Sequence, residues 1–141
     1  MSGTDSYALI SFVGVSGVIH VASVVNMDPD PDRVIPVVVA STLGLLKSAA
    51  ANEGVKRFVL TSSATTAAMP KPNDTSVITS NSYNEESVLL ADNLPDELSD
   101  MQKGGIVYGA SKVKGEQALW KWVEDNRPNM IVNSGRLETE I

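Results

Sequence analysis

Val55-Lys56-Arg57-Phe58-Val59-Leu60-Thr61-Ser62-Ser63 is a short apolar run that ends in hydroxyl side chains. Its length and its apolar residues predict a strand buried in a sheet. Upstream, Gly17-Val18-Ile19-His20-Val21-Ala22-Ser23 has the same character and predicts another strand, buried on both faces as in parallel sheets. Between the two lies a segment of helical length. Strand, helix and strand make a βα unit, whose crossover is parallel and right-handed. Ligands in such sheets sit outside the carboxyl ends of the strands, so Ala22-Ser23 and Thr61-Ser62-Ser63 are expected to face one crevice.

The connecting segment opens with Asp28-Pro29-Asp30-Pro31-Asp32, where Asp30 or Asp32 is placed to cap a first turn. The run to Asn52 carries apolar residues almost all round a helix, with Pro36 in about the first turn and Gly54 as a stop. Ser6 to Asn26 contains no Asp, Glu, Lys or Arg, which raises the question of a membrane span. Its serines, its β-branched residues, Gly14, Gly17 and the lack of basic flanks favour the strand instead.

Downstream, Ala64 to Lys103 is polar and rich in Ser, Thr, Asn and Pro, and reads as a loop with short helical pieces. Gly104-Gly105 reads as a hinge, and a helix is expected from about Val107 to Asn126 with Leu119, Trp120 and Val123 on its buried side. Trp120 and Trp122 are expected to pack in the core. Tyr108 and Lys112 fall in that helix's first turn, four residues apart and therefore on one face. A cation beside a phenol favours the phenolate and suits the pair to acid/base work. The small residues Gly109, Ala110 and Ser111 between them would let a flat ligand approach the backbone. Arg127-Pro128-Asn129 ends the helix, and Met130 to Asn133 begins a third strand. Ser134 to Ile141 is polar and suggests no element.

Composition bounds the function. The 141 residues form one domain with ordinary hydrophobic (43%) and charged (20%) content. A net charge of -6 and scattered basic residues argue against nucleic acid as a partner. There is no cysteine and one histidine, which leaves no thiolate or His-rich metal site, so no metal is expected. His20, inside a predicted strand, reads as a core histidine. No basic region precedes the apolar N-terminal stretch, so a cytoplasmic location without a membrane is expected.

Four blocks stand in order: GVIHVAS at Gly17 to Ser23, TLGLLKSAA at Thr42 to Ala50, GVKRFVLTSSAT at Gly54 to Thr65, and YGASKVKGEQALWKW at Tyr108 to Trp122. Over roughly residues 15 to 133 the chain resembles the extended short-chain dehydrogenase/reductase superfamily, near the dihydroflavonol-reductase-like group and the fungal aldehyde and ketone reductases. The resemblance implies an α/β, partial Rossmann-like three-layer fold with a short parallel sheet of about three strands. It implies hydride transfer between a nicotinamide cofactor, with NADPH favoured over NADH, and a small carbonyl substrate. By the same resemblance Ser63 polarises the substrate oxygen, Tyr108 is the general acid/base, and Lys112 holds the nicotinamide ribose and lowers the tyrosine pKa. Ala22, Ser23, Thr61 and Ser62 would line the cofactor beside Tyr108 and Lys112.

The family places a glycine-rich phosphate turn and further strands before the first block, and a substrate lobe after the third strand. Gly14-x-x-Gly17 precedes a strand and is no phosphate loop, and Ala40 stands where an asparagine is frequent. The expectation is a partial NAD(P)-binding domain over residues 1 to 133 with an unrelated tail over residues 134 to 141. Such a chain is expected to leave the Val18 strand with an open edge and a partly bare face, inviting self-association, and its activity alone is doubtful.

Overall fold

The computed structural model describes residues 12, 14–69, 71, 73, 75 and 77–137. Strand β1 (Gly17–His20) is followed by helix α1 (Pro31–Ala50), strand β2 (Arg57–Ser63), a 3-10 turn (Ala64–Thr66), helix α2 (Glu85–Ala91), helix α3 (Asp100–Asn126) and strand β3 (Ile131–Leu137). The three strands form one parallel sheet in the order β1-β2-β3. Val18, Phe58 and Val132 share one register row, and all three belong to the main apolar cluster with Leu46 and Ala49 of α1 and Leu119 of α3. Both long helices therefore cover the same face of the sheet.

Among the described residues the opposite face is open. Ile19 is 69% exposed and Ile131 is 54% exposed, and Arg57 reaches Asn133 across that surface. Of the three layers expected, the described residues supply two. The expectation that β1 is buried on both faces fails for the same reason: among its residues only His20 is buried, and Val21 beyond it is 64% exposed. The strand stops at His20 because its pairing with β2 ends at Leu60, while β2 continues along β3 to its last residue.

Helix α1 starts where the aspartates predict. Asp30 is the N-cap, accepting the amide of Asp32, and Pro31 takes the first helical position, where a missing N–H costs little. Pro36 lies deeper than expected, at the sixth residue, on the exposed side. The helix ends at Ala50 with Ala51 as its cap, so Gly54 is not its stop; the Gly54 amide instead donates to Asn52. Val34, Val38, Thr42, Leu46 and Ala49 are buried, a stripe at helical spacing, whereas Val37 is 52% exposed. This helix is long and apolar enough to cross a membrane, yet the stripe is spent on α3 and the sheet.

Helix α3 begins seven residues before the expected Val107. Ser99 and Gln102 form a reciprocal capping box that satisfies two backbone donors and starts the helix at Asp100. Gly104-Gly105 therefore lies inside the helix, and Tyr108 sits in its third turn. Gly104 is there because the loop after β1 presses on it: a Cβ would come 2.2 Å from the carbonyl oxygen of Met27, a residue itself at φ 55°. Strand β3 also exceeds its expected length, pairing with β2 from Ile131 to Leu137. Residues 134–137 of the polar stretch are thus sheet, because β2 offers an unpaired edge up to Ser63.

The two adjacent glycines are expected to respond in opposite directions to alanine. Gly104→Ala meets backbone and lowers stability by about 1–3 kcal/mol. Gly105→Ala meets nothing within 4 Å and raises it by about 0.5–1 kcal/mol, as urea unfolding of both variants will show.

Candidate active site

Of the sequence-predicted residues, Thr61, Ser62 and Ser63 end β2 and Lys112 meets them there. Lys112 reaches across from α3, and its ammonium donates to the carbonyl oxygen of Thr61 at 2.9 Å. It is 7% exposed, and burial pulls its pKa below the ordinary lysine value, an effect that Glu116 opposes from one turn further along the helix. The hydrogen bond to Thr61 spends one of its three donors.

Two residues beyond Thr61, Ser63 closes the strand and caps the 3-10 turn. Its Oγ accepts the amide of Thr65 at 3.3 Å and the Thr65 hydroxyl at 2.9 Å. Both bonds use its lone pairs, so its own proton is left to donate. Tyr108 lies one turn before Lys112 and is half-buried; the hydroxyl of Ser111 donates to its backbone carbonyl at 2.7 Å.

Other expected residues divide. Ser23 is half-buried, and its Oγ is shut off from solvent with no hydrogen-bond partner among the described residues. A buried hydroxyl without a partner is costly, and a polar ligand at this rim would satisfy it. Ala22 is exposed beside it. The Ser62 hydroxyl is turned into the interior, 2.9 Å from Thr66 Oγ1, as the alternation of a strand requires. Gly109, Ala110 and Ser111 are buried by protein and not open to a flat ligand: a Cβ on Gly109 would lie 3.1 Å from Ser87 Oγ, at the start of α2. His20 is 4% exposed, as expected of a core histidine, and its pKa is lowered by burial and then by the Lys112 charge.

A cluster that sequence reasoning missed lies one turn beyond Lys112. Glu116 is 3% exposed, and its Oε1 accepts Arg136 Nη2 at 2.9 Å and Nε at 3.3 Å. Burial works to raise its pKa, but the Ser62 hydroxyl, Arg136 and Ser134 together hold it below the ordinary carboxylate value. Arg136 also stacks on Tyr83, 4.8 Å from the ring centre, and donates to the carbonyl of Ser82 at 2.8 Å. The spacing Tyr108, Lys112, Glu116 was a visible signal, four residues and then four more. Arg136 carried none, because it lies in a stretch with no apolar pattern.

His20 is held neutral by the fold, whereas the unfolded chain protonates it near its ordinary value of 6.5. Stability is therefore complete above that value, and falls as pH drops from 6.5 toward the lowered folded pKa. Glu116 enters only below 4.5, since its folded pKa is depressed. Urea midpoints at about pH 7.5 and about pH 5.5 are expected to differ for the wild type and to converge in His20→Gln.

Residues 5–140 match the model of an NAD-binding family described as male sterility protein. Aldehyde reductase 2 of Sporidiobolus salmonicolor is 43% identical over 122 residues, covering 86% of this chain and 35% of that protein. A ketoreductase of Penicillium rubens is 35% identical over 130 residues, covering 88% and 35%. Among solved structures, yeast methylglyoxal/isovaleraldehyde reductase complexed with NADPH superposes with a TM-score of 0.68 at 26% identity, covering 94% of this chain and 38% of that one. Vestitone reductase from alfalfa gives 0.64 at 26% identity, covering 93% and 37%. The chain spans about a third of the length of the curated relatives it matches, 35% in the two above. With a parallel sheet, a buried lysine at its carboxyl rim and a family match over nearly all its residues, the chain belongs to this NAD-binding family, within the short-chain dehydrogenase/reductase superfamily.

Proposed function

We propose that this chain carries the proton-handling half of a nicotinamide-dependent carbonyl reductase, acting on a small aldehyde or ketone. The observation that supports it best is the buried Lys112 ammonium, anchored on the Thr61 carbonyl one helical turn from Tyr108 and two residues from Ser63. Ser63 keeps a proton to donate to the substrate oxygen, which withdraws electron density from the carbonyl carbon. Tyr108 supplies the proton that turns that oxygen into a hydroxyl. A reduced nicotinamide bound at the rim would supply the hydride for the carbonyl carbon.

The residues at the rim suit such a cofactor. Lys112 keeps two donors for ribose hydroxyls, and the unpartnered Ser23 Oγ offers another polar group beside the exposed Ala22. Thr61 contributes through the carbonyl that holds Lys112, while Ser62 serves the interior. The NADPH held by the yeast neighbour supports a nicotinamide cofactor, and we take NADPH as its form. The net charge of -6 favours a small-molecule partner over nucleic acid, and we place the chain in the cytoplasm, away from membranes.

Calorimetric titration of the chain with NADPH and NADH tests this reading. Saturable binding of NADPH, lost in Lys112→Met, is the expected result; no heat from either up to about millimolar concentration sinks it. In any preparation that turns over, Tyr108→Phe is expected to slow carbonyl reduction about 10²–10⁴-fold while cofactor binding persists.

A second reading rests on the sheet itself. Among the described residues β1 is an edge strand, and its outer face shows Ile19 at 69% exposure, with Val21 and Val25 beyond it at 64% and 63%. Exposed apolar edges pair with other chains, and self-association through β1 fits this surface. Sedimentation is expected to show concentration-dependent association that Ile19→Lys abolishes; a monomer at all concentrations removes this reading.

A further inference from the structure

Helix α3 is tied to other parts of the chain on either side of Tyr108. One turn after it, Lys112 donates to the Thr61 carbonyl at the end of β2. One turn before it, Gly104 receives the backbone of Met27, whose carbonyl carbon lies 2.7 Å and whose Cα lies 3.0 Å from where a Cβ would stand. Residues 104, 108 and 112 are spaced by four and share one face of the helix. Tyr108 is thus bracketed by a contact to the loop after β1 and a contact to β2.

That loop, residues 21–30, carries Ala22 and Ser23 at the rim, and it is built to keep one shape. Asn26 Oδ1 accepts the Asp28 amide at 3.2 Å, Asp28 Oδ1 the Asp30 amide at 2.9 Å, and Asp30 Oδ1 the Asp32 amide at 3.0 Å. These are three successive turns closed by side chains. Val24 packs with Val34, Val38 and Val107 beneath them. Met27, between the first two of these acceptors, holds φ 55°, which is unfavourable for a residue with a Cβ. A glycine inside a helix is likewise unfavourable against alanine. The two local costs meet at one contact, and such costs persist where the surroundings fix a geometry that the site uses.

We propose that Gly104 is a positioning residue for the reductase site: by admitting the Met27 carbonyl it fixes how far the loop after β1 stands from Tyr108, and so sets the width of the cleft between Ala22-Ser23 and the catalytic face of α3. Gly104 acts through the loop and not by contact with the cofactor. Gly105, where a Cβ would meet open space, has no such part. The proposal rests on the reductase reading.

Calorimetric titration with NADPH reads that spacing. Gly104→Ala is expected to weaken binding about tenfold, since its Cβ is accommodated only by moving backbone, while Gly105→Ala leaves the affinity unchanged. Loss of stability by itself is separated by Val55→Ala, which removes packing from a residue 2% exposed just before the amino end of β2. That variant is expected to lower the urea midpoint without moving the affinity. Should Gly104→Ala not fold by circular dichroism, two variants of Asp28 decide. Asp28→Ala removes the acceptor of the Asp30 amide, whereas Asp28→Asn loses the same charge and keeps an acceptor, so Asp28→Ala is expected to bind several-fold more weakly than Asp28→Asn. The proposal is overturned by a folded Gly104→Ala that binds as tightly as the wild type, or by Val55→Ala weakening binding as much as Gly104→Ala. Where Gly104→Ala unfolds, equal binding by the two Asp28 variants overturns it. A wild type that binds no NADPH sinks the reductase reading and this proposal together, whereas a binding wild type with an unaffected Gly104→Ala sinks this proposal alone.

Discussion

One hydrogen bond, from the Lys112 ammonium to the Thr61 carbonyl, ties the longest helix to the middle strand. A buried ammonium loses its hydration, and α3 provides at most a distant carboxylate in return, so the contact on β2 has few substitutes. Thr61 can offer its carbonyl there because the β1 ladder stops at Leu60. The geometry that follows is strict. With Lys112 fixed on Thr61, Tyr108 must lie one turn nearer the strand's carboxyl end, and Ser63 two residues further along the chain. The chemistry of the rim is a consequence of where one cation is grounded.

Helix α3 reaches that position because three glycines let other segments close on it. Gly104 admits the Met27 carbonyl, Gly109 the start of α2 at Ser87, and Gly115 the Val38 side chain of α1, at 3.2 Å from where a Cβ would stand. Each contact brings a different part of the chain against the same helix. The sheet, by contrast, is gripped on one side. Phe58 and Leu60 are buried beneath the helices, whereas the alternate residues Val59 and Thr61 are half-covered. A parallel sheet normally hides both faces. Here the second face is open on the described residues, and the covered face packs against α1 and α3.

Much of this was legible in the sequence, for a local reason. The βα unit, the Asp30 cap and the rim position of Ser63 follow from apolar runs and short-range spacing, which the chain carries within a few residues; the place of Lys112 at the rim was implied by the family resemblance. What was misread depended on partners far away in sequence. Gly104-Gly105 looks like a hinge until Met27 is placed against it; the Ser99 and Gln102 box was present to be read, but the polar segment around it masked the signal. β1 was given two buried faces because its composition resembles an interior strand, and composition does not say which neighbours are present. Residues 134–137 carry no strand pattern, and they pair because β2 leaves its edge free there.

The Arg136–Glu116 pair changes what α3 is for. A bridge buried to 16% and 3% exposure gains little over an apolar pair, since both charges give up water. What it does supply is position. Arg136 binds Glu116 on α3, the Ser82 carbonyl in the preceding loop and the face of Tyr83, so β3, the loop and the helix share one cation. Glu116 in turn faces back toward Lys112 and opposes the loss of its charge. Tyr108, Lys112 and Glu116 thus form a phenol, an ammonium and a carboxylate at successive turns of one helix, with β2 behind the second and β3 behind the third. Replacing Arg136 with a neutral residue would strand a buried carboxylate, whose simplest escape is to take up a proton. Its influence on Lys112 would then vanish, so the state of the rim depends on a residue of the last strand that never touches it.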